Sequence, residues 1–164
     1  MWISEPRKRA CVMFSGLHQC VVDEKGRVAF PAQLRAALAD MGGGERFVVT
    51  LSFFEPCLVA QSEADFARTA ERIRALPPSN PAVAEFKRVV VASATLLNID
   101  KVGRVGVPKE LRDYAALERD AVWAGVLDKV ELWSKQKWDE RNAKRLQDRA
   151  FLDEARAFFE QNGI

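Results

Sequence analysis

The chain has 164 residues, 48% of them apolar and 29% charged, which suits one ordinary domain or two small ones with a packed core and excludes a disordered chain. A formal net charge of +2 neither demands a nucleic-acid partner nor excludes one. No apolar run approaches a bilayer-spanning length, so the expectation is a soluble, cytoplasmic protein with no membrane partner.

The three cysteines, Cys11, Cys20 and Cys57, form no Cys-x-x-Cys pair, and His18 is the lone histidine. Zinc sites need about four ligands at recognisable spacing, so neither a metal nor another cofactor is expected, and the cysteines read as reduced thiols. Residues 1–12 are patterned unlike the rest and read as an N-terminal extension, with Arg7-Lys-Arg9 a loose basic tail. Both Met1 and Met13 fit as the start.

From Gly16 to Asp23 the apolar Leu17, Val21 and Val22 predict a strand, and Lys25-Gly26 a turn. Arg27 to Phe30 reads as a second strand. Pro31 then opens a helix with Leu34, Ala37 and Leu38 on one face, stopped at Met41-Gly-Gly-Gly44. Phe47 to Leu51 and Cys57 to Ala60 read as a hairpin around Glu55-Pro56. Ser62-Glu-Ala-Asp65 has the form of a capping box before a helix that Pro77-Pro78 terminates. Asn80-Pro81 opens another helix, with Phe86, Val89 and Val90 on its buried face.

The order then repeats. Leu96 to Asp100 and Arg104 to Val107 are strands around Val102-Gly103, and Pro108 to Tyr114 is a helix. Ala121 to Leu127 and Val130 to Trp133 form a hairpin across Asp128-Lys129, and Ser134 caps a long final helix. In that helix Phe151, Ala155, Phe158 and Phe159 make an apolar stripe, buried either on its own domain or against another subunit. Trp123, Trp133 and Trp138 read as core.

Residues 23–35 and 100–112 align without a gap at a constant offset of 77, and Asp, Gly, Arg, Val, Pro, Leu and Arg are identical in both copies. Such agreement marks an internal duplication, with a period too long for a solenoid. The division is an extension at 1–12, a first repeat with linker helices at 13–92, and a second repeat with the C-terminal helix at 93–164.

In each copy an Asp precedes the turn and an Arg follows it, so the carboxylate of Asp23 or Asp100 can hold the guanidinium of Arg27 or Arg104. A salt bridge that merely fixes the turn explains those four residues. It does not explain Arg35, Arg112, Lys25, Lys101 or Lys109. Arginine's planar fork suits phosphates and guanine edges, and a two-stranded ribbon fits the major groove. The pattern therefore points to double-stranded DNA.

Met13-Phe-Ser-Gly16, Asp23-Glu-Lys-Gly-Arg27 with Pro31-Ala32, Asp100-Lys-Val-Gly-Arg104 with Pro108-Lys-Glu-Leu-Arg112-Asp-Tyr-Ala115, and Val130 to Trp138 together resemble the MraZ proteins, over about residues 13–140. These belong to the AbrB-like swapped-hairpin superfamily. The resemblance implies an α+β fold of two tandem AbrB/MraZ-like β-barrel-type units, a swapped-hairpin double-split barrel with connecting and C-terminal helices. It further implies a homo-oligomeric ring that binds short repeated DNA boxes upstream of the division and cell-wall gene cluster, as a nucleoid-associated transcriptional regulator. By the resemblance, DNA contacts map onto Lys25 and Arg27 and, through the repeat, onto Arg104; the residues themselves add Arg35, Lys101 and Arg112 as DNA-binding candidates, with Asp23 and Asp100 orienting the turns. Val102 stands where the family commonly has a polar residue, which favours the first copy as base reader.

An enzyme has little support: His18, Cys20 and Asp23 lie close in sequence, but His18 and Cys20 share one strand face with no third orienting group, there is no Gly-rich phosphate loop, and no small-molecule substrate is expected. An antitoxin of the same fold would pair one unit with a disordered tail, whereas this unit is doubled and its tail reads as helical. A purely structural ring is the remaining alternative, and it would not need Lys25 and Arg27 exposed.

Overall fold

A computed structural model describes residues 13–164, so Arg7-Lys-Arg9 and Cys11 lie outside the described residues. The chain runs β1 (Phe14–Val21), β2 (Arg27–Ala29), α1 (Ala32–Asp40), β3 (Arg46–Leu51), β4 (Leu58–Gln61), α2 (Glu63–Arg74) and α3 (Pro81–Phe86). A π-helical turn at Lys87–Val91 leads into β5 (Thr95–Asn98), β6 (Arg104–Gly106), α4 (Lys109–Tyr114), β7 (Asp120–Leu127), β8 (Val130–Ser134), α5 (Lys135–Gln147) and α6 (Arg149–Gln161).

The strands interleave the two repeats. One antiparallel sheet has the order β1-β7-β8-β4-β3-β5, and a second is the ribbon β2-β6. Exchanging each strand for its counterpart in the other repeat turns the six-stranded order into its own reverse. The fold therefore has a pseudo-two-fold relation, with β2-β6 and β4-β8 pairing across it.

Two hairpins form as the sequence predicts, β3 with β4 and β7 with β8. The strands around the two Asp-Arg turns behave differently. The expected local hairpins at 23–27 and 100–104 shrink to single bridges, Val22 to Val28 and Ile99 to Val105, while β2 takes β6 as its ladder partner. Burial is the reason. Val28 and Val105 lie opposite each other, fully buried, so the ribbon closes one side of the core.

That core contains Phe30, Leu34, Leu38, Phe47, Leu58, Leu111, Trp123 and Leu132. Phe30 stacks on Phe47 at 5.0 Å and meets Trp123 edge-on at 5.1 Å, while the Trp123 indole donates to the Ala29 carbonyl at 2.9 Å. One tryptophan thus ties the ribbon to β7.

Ser62 caps α2 by accepting from the Asp65 amide, and the Asn80 side chain accepts from the Ala82 amide at the start of α3. Phe86 and Val89 are only half-buried, and Val83 joins Val90 inside. The long final helix is instead two helices. Asp148, in a non-helical conformation (φ −80°, ψ 87°), ends α5 and caps α6 through the Phe151 amide. Ser134 occupies the position before α5, but its side chain makes no capping bond. On α6 Phe151, Phe158 and Phe159 are exposed, so the stripe is not covered by its own chain among the described residues. Trp133 is buried, and Trp138 packs edge-on against it half-exposed.

Candidate nucleic-acid interface

Each Asp-x-x-Gly-Arg segment folds the same way for the same reason. The Asp23 amide donates to the Arg27 carbonyl at 2.9 Å, and the Gly26 amide donates back to the Asp23 carbonyl at 2.9 Å. Asp100, Arg104 and Gly103 repeat both bonds at 2.8 and 3.0 Å. Gly26 (φ +74°) and Gly103 (φ +82°) take the left-handed turn position that glycine adopts without steric cost.

The aspartate then clamps the turn. Asp23 Oδ1 accepts from the amides of Lys25 and Arg27, both at 2.9 Å, and Oδ2 accepts from Arg27 Nε at 2.7 Å. In the second copy Asp100 Oδ1 accepts from the amides of Val102 and Arg104 at 3.0 and 2.9 Å, and Oδ2 from Arg104 Nε at 3.0 Å. These donors favour the charged carboxylate, so both aspartates sit below their ordinary pKa, the Arg27 and Arg104 amides contributing most. Only Nε of each arginine is used among the described residues, which leaves the outer nitrogens of the fork for a ligand. Arg27 and Arg104 are each about one-third exposed (33% and 38%).

The β2-β6 ribbon joins the two turns. Beyond its ladder, the Phe30 amide donates to the Gly103 carbonyl at 2.8 Å, and the Val107 amide donates to the Gly26 carbonyl at 2.9 Å. Three-residue strands span only about 7 Å, so the two turns occupy opposite ends of one short platform. Lys25 and Lys101 stand exposed at the tips, without an acidic partner among the described residues. Lys109, by contrast, is paired with Asp113 at 2.5 Å.

Arg35 and Arg112 have internal partners that the sequence reading did not find. Pro31 and Pro108 immediately precede α1 and α4, whose first helical bonds run from the Arg35 amide to the Pro31 carbonyl and from the Arg112 amide to the Pro108 carbonyl. One turn in, Arg35 makes a forked ion pair with Glu45, Nη2 to Oε2 at 2.7 Å and Nε to Oε2 at 3.1 Å. Glu45 first, and Asp100 of the other repeat as well, raise the Arg35 pKa. Arg112 Nε donates to the Val107 carbonyl at 3.0 Å, and its guanidinium covers Gly26. Each of these arginines reaches toward the turn of the opposite repeat. No periodicity could have shown that reach, because the turn lies in the other copy, although the bonded partners Glu45 and the Val107 carbonyl lie in the same copy.

His18 Nε2 lies 3.4 Å from the Ser15 carbonyl, and burial pushes the Cys20 thiol up to about 11. Cys57, free and buried, is pushed up to about 12 by its burial. No group of three or more metal-ligating side chains occurs among the described residues, and no helix there is long and apolar enough to cross a membrane.

Two successive copies of one family model cover the chain, at residues 13–89 and 90–160, under the description "MraZ protein, putative antitoxin-like". The chain belongs to the MraZ family. A MraZ protein of Saccharophagus degradans is 40% identical over 77% of this chain and 85% of its own length. One of Halorhodospira halophila is 37% identical over 86% of this chain and 92% of its own, and one of Desulforamulus reducens is 36% identical over 80% and 89%. All three are named transcriptional regulator MraZ, which points to a non-enzymatic role.

Proposed function

We propose that this MraZ-family chain is a sequence-specific DNA-binding transcriptional regulator that acts on double-stranded DNA in the cytoplasm, at the nucleoid. The observation that carries this reading is the pair of aspartate-clamped turns on one ribbon, each offering an arginine fork with free outer nitrogens beside an exposed lysine tip. The clamp holds these groups in place before any ligand arrives, which reduces the ordering cost of binding. The names borne by the relatives support the same reading.

Arg27 and Arg104 with Lys25 and Lys101 are the direct contacts in this proposal. Arg35 and Arg112 serve by bracing the turns, since both have internal partners. The repeats at 13–92 and 93–164 act together as a fused dimer, because the ribbon needs a strand from each.

The proposal includes a homo-oligomeric ring facing repeated promoter boxes, upstream of the division and cell-wall gene cluster as the family resemblance implies. The uncovered aromatic stripe of α6 supports self-association. A ring also accommodates the low net charge, because linked sites can add roughly 10²–10⁴ in avidity when their spacing permits joint contact. After Ser134 the chain forms α5 and α6, which speaks against the extended tail of an antitoxin.

The test is binding of the purified protein to DNA from its own upstream region, beside Arg27→Ala, with assembly size checked for both. Loss of binding by an intact Arg27→Ala assembly supports the reading. Equal binding by both makes Arg27 a structural residue, and failure of the wild type on every fragment moves a purely structural ring to first place.

A further inference from the structure

The two turns share a scaffold and differ at their tips. Asp, Gly and Arg, the two backbone bonds and the three bonds to the aspartate are common to both. Between Asp and Gly the first turn carries Glu24-Lys25 and the second carries Lys101-Val102. Val102 occupies the position of Lys25, with its amide fixed by Asp100 at 3.0 Å as the Lys25 amide is fixed by Asp23 at 2.9 Å. Its side chain is 70% exposed, at a tip where polar residues normally stand. Nothing in the turn's own hydrogen bonding requires a valine there, because only its amide is used.

We infer that Val102 is a specificity residue that packs against a thymine C5-methyl group in the major groove. This rests on the DNA-binding reading above. Among base edges in that groove only thymine presents a methyl group, and small apolar side chains meet it by contact alone. Lys25, in the equivalent place, can only donate hydrogen bonds to phosphate or to acceptor atoms. One near-symmetric platform therefore presents two chemically different probes. Lys101 and Arg104 beside Val102 supply the charge that holds the second turn on the backbone, and Val102 adds discrimination without charge.

The experiment uses a duplex of the protein's own upstream region in which each thymine is replaced singly by deoxyuridine, which removes the methyl group and nothing else. Wild type should lose about fourfold in affinity at one or two positions, the worth of about one buried methyl group. Val102→Ser should lose a similar factor on the unmodified duplex and become indifferent to deoxyuridine at those same positions. An exposed tip residue leaves the core untouched, and the assembly size of the variant checks this. Wild-type binding with no thymine-sensitive position, or a Val102→Ser variant that keeps the sensitivity, overturns the assignment alone. Failure of wild type to bind any duplex overturns the DNA reading and this assignment with it.

Discussion

The guanidinium of Arg112, from the second repeat, lies over Gly26 in the turn of the first: a Cβ at residue 26 would stand 2.7 Å from Arg112 Cζ and Nε. The equivalent contact in the other direction is looser, with Arg35 Nη1 3.8 Å from a Cβ at Gly103. Both glycines have positive φ, so alanine at either position costs about 1–2 kcal/mol in backbone strain. Gly26→Ala must also displace Arg112. Urea unfolding should therefore show Gly26→Ala as the more destabilising of the two. Combined with Arg112→Ala its effect should be less than additive, since the two changes share one contact. Equal losses at Gly26 and Gly103 would count against the contact.

The aspartate clamps predict an acid response. Asp23 and Asp100 are both held below the ordinary value of 3.8 in the folded chain. A carboxylate with a depressed folded pKa contributes its stability fully above its unfolded pKa and loses it as pH falls through the folded value. Melting temperature should hold from neutral pH to about 5 and fall below about 4. In the double variant Asp23→Asn, Asp100→Asn the neutral melting temperature should be lower and the acid limb flatter. Parallel acid limbs would show that these carboxylates are not the groups titrating.

Ser62 joins the first hairpin to α2. Its hydroxyl accepts from the Asp65 amide at 3.1 Å and donates to the buried Asp65 carboxylate at 2.5 Å. Ser62→Ala removes a cap and one partner of a buried charge. The cap alone is typically worth about 1 kcal/mol, so a loss of about 1–2 kcal/mol is expected in chemical denaturation. Ser62→Thr should recover most of it, whereas a loss near zero would mean that α2 does not depend on this cap.

Cys20 and Cys57, with thiols pushed up to about 11 and about 12, should carry little thiolate at pH 8. Alkylation followed by peptide mapping should find both labelled slowly in the native protein and quickly in denaturant. Rapid native labelling of Cys57, which is fully buried, would show that the β3-β4 end of the sheet opens readily.

Part of the site was legible from spacing alone. Asp and Arg four positions apart around a glycine turn have to meet, so the Asp23-Arg27 and Asp100-Arg104 pairs followed from the sequence. The caps at Ser62 and Asn80 and the hairpins β3-β4 and β7-β8 followed for the same reason, since each involves neighbours along the chain. The break at Asp148 was missed because α5 and α6 both carry helix-favouring residues, and a single non-helical residue leaves little mark on a periodic pattern.

By itself the sequence determined the duplication, the type and order of nearly every element, and the two clamped turns, all consequences of interactions within a few residues. Only the tertiary structure decided which strands pair across the two repeats. A strand as short as Arg27–Ala29 alternates in and out like any other and carries no record of its partner; burial of Val28 against Val105 selects it. The crossing of Arg112 onto Gly26 follows from that choice. Each turn is thus held locally by its own aspartate and from a distance by the other repeat, and the distant hold depends on closing the core.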